Sequence, residues 1–569
     1  MRYHVVACDY DGTLALHGRV DEPTIRALER LRESGRRLVL VTGRELPDLS
    51  NVFPRLDLFE RVVAENGALL YRPDTREATL QCAPASQELG QLLRERGVSP
   101  VSVGRGIVAT WEPHQETVLE AIHDLGLELQ VIFNKGAVMV LPSGVNKASG
   151  LQAALEELSL SVHNAVGIGD AENDHALLTA CECGVAVANA VPALKQTADW
   201  VTRQDHGAGV VELTERLIES DLTELEARLA ARDIVLGVDD SGEPVRVSPY
   251  GVNVLLAGAS GSGKSTLATA FLERLKQAGY QFCIVDPEGD YERLEDAVVL
   301  GDGQRYPSAE EALAALEKPS RSVVVSLLAL SRENRPRYFE SMLPRLQQMR
   351  ARTGRPHWIL VDETHHLLPV AWDPAALTLP QDMHSMMFIT VHPDHVSAQV
   401  LGAVDLVITV GASAKETLET FARTLGRPLP AVEERPMETG EVLAWLPDEG
   451  TPFRFQPITP HAERKRHLRK YAEGDLGPDR SFHFRGPDGR LNLKAQNLTL
   501  FLQIAEGVDD ETWLHHLRQG DYSRWFRDKI KDPALADETQ NVENQPDLSA
   551  QESRTLIREF IEQRYAAPA

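Results

Sequence analysis

The sequence predicts an α/β protein made of two open α/β domains, the first carrying an inserted α+β segment, followed by a small, mostly helical C-terminal region. Three observations carry this. An apolar run over 2–8 ends in Asp9-Tyr10-Asp11-Gly12-Thr13, as expected of a buried parallel strand that delivers carboxylates to the carboxyl edge of its sheet. A second apolar run, over 252–257, leads through Gly258-Ala259-Ser260-Gly261-Ser262-Gly263-Lys264-Ser265 into a helix-forming stretch over 266–278, the strand, loop and helix order of a phosphate cradle. Near the end, Trp513, Leu514, Leu517, Trp525, Phe526 and Ile530 recur at helical spacing and suit a packed helical module.

The chain has 569 residues, 43% hydrophobic and 25% charged, enough for several cores and about three domains. The expected division is 1–222 with an insertion over about 72–142, a linking helix over 223–233, a second α/β domain over 234–456, and a basic linker with helical elements over 457–569. The first residues run straight into an apolar strand, and no stretch is long and apolar enough to span a bilayer. A cytoplasmic protein with no membrane partner is therefore expected. Five cysteines, Cys8, Cys82, Cys181, Cys183 and Cys283, fit reduced thiols better than a disulfide framework. A formal net charge of −25 disfavours nucleic acid as a partner unless a local basic surface offsets it.

At the first carboxylate pair, one group can attack phosphorus if a divalent cation cancels the repulsion, while the second protonates the leaving oxygen. Gly12 allows the tight turn. A second apolar strand over 38–41 ends in Thr42-Gly43-Arg44, offering a hydroxyl and backbone donors to a phosphate oxygen. Lys147 follows a loop over 142–146 and supplies a counter-charge. A third strand over 165–168 leads into Gly169-Asp170-Ala171-Glu172-Asn173-Asp174, hard oxygen ligands of the kind Mg²⁺ takes.

These four stretches, in this order, resemble the haloacid dehalogenase-like hydrolases, and Ala64-Glu65-Asn66-Gly67-Ala68 is similar to the Cof-type phosphatase branch. The resemblance covers residues 1 to about 220. It implies a Rossmann-like domain whose insertion over 72–142 is a cap covering the active site. It implies that Asp9 is the nucleophile that becomes an aspartyl-phosphate and Asp11 the general acid/base. Thr42, Gly43 and Lys147 would hold the phosphoryl oxygens, and Asp9, Asp11 through its carbonyl, Asp170 and Asp174 would surround Mg²⁺, with Asn173 supporting that shell. A cap favours a small phosphorylated substrate, such as a sugar phosphate, over a polymer.

At the second site Gly258 opens the loop, and backbone N–H groups of Ser260, Gly261, Ser262, Gly263 and Lys264 would surround the β-phosphate of ATP. Lys264 would reach the β and γ oxygens, Ser265 would hold Mg²⁺, and Thr266 starts the helix. A strand over 357–361 ends in Asp362-Glu363; Asp362 suits the outer shell of the metal and Glu363 the alignment or deprotonation of the attacking water. Asp286-Pro287-Glu288-Gly289-Asp290-Tyr291 adds an acidic strand tip. Together these resemble the HerA/FtsK branch of P-loop ATPases, over about 234–455, which implies a RecA-like domain, a homo-oligomer with a ring as its typical form, and an arginine given in trans by a neighbour. Arg332, Arg335, Arg337, Arg345, Arg350, Arg352 and Arg355 are all candidates for that arginine. The strand over 387–392 takes the sensor position, but Val391 stands where the branch usually has glutamine, leaving Thr390 or His392 to replace it. His365 and His366 lack a partner at ligand spacing and are expected to be surface histidines.

The basic run over 461–470 reads as a solvated linker, with a phosphate or nucleic-acid contact as the alternative. Ser549 with Glu552 forms a capping box for a last helix carrying Leu556, Ile557, Phe560 and Ile561 on one face. The leading functional expectation is a Mg²⁺-dependent phosphomonoesterase fused to an ATPase that assembles or regulates it. The alternatives are a HerA-like nucleic-acid translocase with an accessory end-processing phosphatase, and a switch in which the P-loop domain senses ATP.

Overall fold

The computed structural model describes residues 1–565 apart from 230–231, 293, 295–296, 371–383, 429–430, 433–434, 436, 439, 449, 461–480, 488–490 and 531. The basic run over 461–470 lies outside the described residues. The chain forms two compact units, residues 1–458 and 459–569, and the first contains both large sheets.

The first sheet has eight strands in the order Trp200–Val201, Cys183–Ala186, Ala165–Gly169, Val5–Asp9, Arg37–Val41, Arg61–Ala64, Leu69–Arg72 and Glu77–Leu80. The first six are parallel and the last two antiparallel. Val5–Asp9 and Ala165–Gly169 are buried at every residue, as strands covered on both faces must be. Being parallel neighbours, they bring Asp9 and the residue after Gly169 to the same edge.

Glu77–Leu80 falls within the stretch expected to be inserted from 72, yet it pairs with Leu69–Arg72 and extends the first sheet. The inserted module has its own four-stranded antiparallel sheet, ordered Ser102–Val103, Val108–Trp111, Ala137–Pro142, Leu129–Asn134. Helices Gln87–Glu95 and Gln115–Asp124 supply Leu89, Leu93, Val118 and Ala121 to its separate core. Within the span of the expected linking helix the described residues form the turn Thr223–Leu225 and the short helix Glu226–Leu229, set off from His206–Ser220 by the left-handed backbone of Asp221 and Leu222 at φ 53° and 61°.

The second sheet has eleven strands. Its parallel part runs Leu406–Val410, Val254–Gly258, Met386–Thr390, Trp358–Val361, Phe282–Asp286, Ser322–Ser326, Ala297–Leu300. Met386–Thr390 thus separates the strand feeding the phosphate loop from the strand feeding Asp362 and Glu363. The helix Lys264–Gln277 buries Leu267, Phe271, Leu272 and Leu275 against this sheet.

The two α/β domains meet through the amino-terminal ends of their strands. Glu182 is 1% exposed and accepts from Arg2 at 2.8 Å, the Tyr280 hydroxyl at 3.2 Å and, in the Nδ1–H tautomer, His163 at 2.8 Å. His163 stacks on Tyr280 with centroids 3.9 Å apart, Tyr250 donates to the His163 carbonyl at 2.6 Å, and buried Arg355 donates to the Ser159 carbonyl at 2.5 Å. Removing one member of a buried charged network leaves its partners unpaired, at a cost of about 3–5 kcal/mol. Glu182→Ala is therefore expected to lower the unfolding free energy of the chain by about 3 kcal/mol. Urea unfolding followed by tryptophan fluorescence would measure it, and an unchanged midpoint would show that the interface is not built on this carboxylate.

In the second unit, helices Leu498–Gly507, Asp510–Arg518, Asp521–Trp525, Pro533–Glu543 and Ala550–Tyr565 enclose an aromatic core of Phe484, Phe501, Trp513, Tyr522 and Phe526. Trp513 stacks on Tyr522 at 4.4 Å and donates to the Ser553 hydroxyl at 2.9 Å. Buried and bonded, this indole is part of the packing and presents no face to a base. Among the described residues no helix is long and apolar enough to cross a membrane.

Candidate active sites

Asp9, Asp170 and Asp174 each place a carboxylate oxygen within 4.8 Å of the others, and all three are buried. Asp9 ends its strand and Asp170 follows the neighbouring one. Asp174 is fixed by accepting from the backbone N–H groups of Asp170 and Ala171, both at 3.0 Å. Gly169 makes this closeness feasible, since a Cβ there would lie 2.5 Å from the Asp174 side chain. Lys147, 1% exposed, donates to Asp9 at 2.6 Å and Asp174 at 2.5 Å. It begins the helix Lys147–Glu157, whose cap Asn146 accepts from Ala148 and Ser149. Burial pushes the Asp9 carboxyl up to about 8, with Asp174 adding to the rise and Lys147 opposing it. Burial also raises Asp170, against the pull of Lys135. Burial and crowding of the three carboxyl groups raise two of them, a penalty that a divalent cation would relieve, and an all-oxygen donor set of this kind fits Mg²⁺.

The structure brings Thr42, Gly43 and Lys147 to the same edge as the triad. Thr42 is fully buried and its hydroxyl accepts from the Arg44 N–H at 3.1 Å. Gly43 faces Asn173 and Met139. The Asp11 carboxylate is not part of the triad and is held by Arg44 through two hydrogen bonds, at 2.6 and 2.7 Å. Asn173 donates to Asn66 at 3.0 Å, while Asn66 Nδ2 and Asn173 Oδ1 are buried without partners. A buried donor and a buried acceptor left over beside the triad suit the polar atoms of a bound substrate.

Three contributors escape sequence reasoning. Lys135, on the tip between Leu129–Asn134 and Ala137–Pro142, pairs with Asp170. Asn189 donates to the Gly12 carbonyl at 2.7 Å and to Asp170 at 3.3 Å, and Arg44 grips Asp11. The only signal for Lys135 is the turn chemistry of Asn134-Lys135-Gly136, where Lys135 and Gly136 have φ of 47° and 85°.

In the second site Lys264 folds onto its own loop, donating to the Gly258 carbonyl at 2.9 Å and the Ala259 carbonyl at 3.2 Å. Gly258 must be glycine, because a Cβ would lie 2.4 Å from the Val410 carbonyl. Gly261 and Gly263 adopt φ of 75° and 107°; Ser260 is exposed, and Ser262, Ser265 and Thr266 are partly buried around the loop and first turn. Ser265 donates to Asp290 at 3.0 Å. Asp286 builds the opposing turn by accepting from the N–H groups of Glu288, Gly289, Asp290 and Tyr291. Burial, with Asp286, Glu363 and Asp290 adding, raises Asp362 well above the usual carboxylate range. Burial also raises Glu363, opposed by nearby Lys264. Among the candidate arginines, Arg350 and Arg355 point inward onto backbone carbonyls. Arg335, Arg345 and Arg352 pair with Glu288, Glu310 and Glu317. Arg332 and Arg337 are exposed.

A family model described as haloacid dehalogenase-like hydrolase matches residues 6–95 and 111–213. A phosphoglycolate phosphatase of Methanothermobacter thermautotrophicus is 31% identical over 222 residues, covering 98% of that protein and 37% of this chain. The chain belongs to the haloacid dehalogenase-like hydrolases. A phosphoglycolate phosphatase of Methanosarcina acetivorans is 28% identical over 222 residues, with 97% of that protein and 38% of this chain covered. A solved haloacid dehalogenase-like hydrolase from Bacteroides thetaiotaomicron is 20% identical, covers 38% of this chain and 99% of its own, and has a TM-score of 0.33. Beyond this hydrolase domain, a second family model, the central domain of helicase HerA, matches residues 252–333, so a HerA-type ATPase domain is fused to the haloacid dehalogenase-like domain.

Proposed function

We propose that the chain is a Mg²⁺-dependent phosphomonoesterase of small phosphorylated metabolites whose fused ATPase assembles or regulates it. The observation that carries this reading is the buried triad of Asp9, Asp170 and Asp174 with Lys147 bridging two of its members. Asp9, Asp170, Asp174 and the Asp11 carbonyl would hold Mg²⁺, which supplies charge neutralisation for the phosphate dianion and the attacking carboxylate. Asp9 attacks phosphorus, the ester P–O bond breaks, and the leaving oxygen takes a proton from Asp11. Water then attacks the aspartyl-phosphate, giving its proton back to Asp11 and releasing phosphate. Lys147, the Thr42 hydroxyl and the Gly43 N–H orient the phosphoryl oxygens. Arg44 holds the Asp11 carboxylate through two hydrogen bonds, so the acid role requires this carboxyl to turn from Arg44 towards the leaving oxygen.

The inserted module serves as a cap, its Lys135 reaching Asp170 from above the pocket. A covered pocket suits sugar phosphates, and the names of the curated relatives add phosphoglycolate as a candidate. Phosphate release from a panel of these esters tests the reading: turnover of at least one small ester supports it, and inactivity on all of them with activity on phosphorylated DNA ends overturns it. Chelation of divalent ions is expected to abolish phosphate release and added Mg²⁺ to restore it. Asp170→Asn should raise the Mg²⁺ concentration for half-maximal activity more than about 10-fold, and an unchanged requirement would remove Asp170 from the metal shell.

The match to the HerA central domain favours a second reading, a nucleic-acid translocase with an accessory phosphatase. ATP hydrolysis stimulated by DNA, with steep salt dependence, would select it. The charge of −25 weighs against it.

A further inference from the structure

The sensor strand Met386–Thr390 of the ATPase domain lacks the expected glutamine, and the structure shows what stands in its place. Thr390 is fully buried. Its hydroxyl accepts from the His392 N–H at 3.1 Å and donates to the His392 carbonyl at 3.4 Å. His392 itself meets the site only edge-on, its ring 5.9 Å from that of His365, so it does not reach the acid. His365 does. Its Nδ1 is hydrogen-bonded to Thr390 Oγ1 at 3.1 Å and lies 3.3 Å from Glu363 Oε2, a buried carboxylate oxygen with no hydrogen-bond partner.

We propose that His365 is the positioning residue of the ATPase site, an Nδ1–H imidazole that ties Glu363 to Thr390 in place of the missing glutamine. The inference rests on the reading of Glu363 as the group that aligns the attacking water. Two features make an external tether necessary. Glu363 has a left-handed backbone at φ 43°, which sets its side chain off the line of the preceding strand and costs conformational energy. Its carboxylate also lies within reach of the Lys264 charge, which would draw it towards the phosphate loop. The single Nδ1–H, bonded to Thr390 and 3.3 Å from the unpartnered Glu363 oxygen, would hold the carboxylate on the sensor side of the site by swinging onto it. Because Thr390 sits on the strand between the phosphate-loop strand and the acid strand, the tether references Glu363 to both. A base displaced by about 1 Å loses roughly 10²-fold in rate.

The test measures ATP turnover and the binding of a fluorescent ATP analogue in the full-length chain. His365→Ala is expected to lower kcat roughly 10²-fold with KM and analogue affinity unchanged. His365→Asn, whose amide nitrogen falls where Nδ1 stands, should recover most of the rate, whereas His365→Gln, whose amide projects further, should not. Near wild-type kcat in His365→Ala, a loss confined to KM, or equal activity of the Asn and Gln variants would each overturn the proposal. The Asn and Gln pair decides the matter even if the alanine variant fails to fold. Glu363→Gln is the separate control: retained turnover there removes Glu363 from its role, whatever His365 does.

Discussion

Asp9→Asn is expected to reduce phosphate release by about 10⁴-fold or more while leaving ATP binding and hydrolysis at the wild-type level. The amide keeps the shape of the carboxylate, so the packing at the end of Val5–Asp9 should survive. What it loses is the lone-pair charge that attacks phosphorus. It also removes one of the two anions that Lys147 bridges, and Asp174 remains to hold that ammonium at 2.5 Å. A fall in activity with unchanged thermal stability therefore reports chemistry. If Asp9→Asn retained phosphate release, a different group would have to be the nucleophile, and the buried triad would need another role.

Lys264→Ala and Glu363→Gln form the second expectation. Lys264→Ala should abolish ATP turnover by weakening nucleotide binding, because the lysine now bonded to Gly258 and Ala259 is the group freed to meet phosphate oxygens. Glu363→Gln should bind ATP and fail to hydrolyse it, with a loss of roughly 10³-fold or more in kcat. Both should keep phosphatase activity if the domains work independently. The cluster around Glu182 joins the strand ends opposite the catalytic edges, Arg2 preceding Val5–Asp9 and Tyr280 preceding Phe282–Asp286. Loss of phosphate release in either ATPase variant would mean that this interface transmits the nucleotide state. Steady-state assays of both activities on the same preparations separate these outcomes.

The two sites differ in how far they can be read from residues alone. Asp9, Asp170 and Asp174 are legible because each follows a strand whose apolar pattern is strong, whereas Lys147 is reached through its place after the loop over 142–146 and the family resemblance. Parallel pairing of Val5–Asp9 with Ala165–Gly169 then does the rest. The phosphate loop is legible for the same reason, its glycines being forced by positive φ and by the approach of Val410 to Gly258. Lys135 is not, since its reach depends on how the inserted module lies over the first sheet. The Arg44 grip on Asp11 and the tether at His365 are likewise tertiary: each joins residues well apart in sequence, and periodicity carries no trace of either. His365 reads as an ordinary surface histidine until Thr390 is placed beside it.

The most direct test is phosphate release from a panel of small phosphomonoesters, phosphoglycolate and sugar phosphates included, by wild type, Asp9→Asn and Lys264→Ala, each with and without DNA. The expected result is Mg²⁺-dependent release by wild type and Lys264→Ala, none by Asp9→Asn, and no effect of DNA. Release that survives Asp9→Asn, or that requires DNA, would contradict the account.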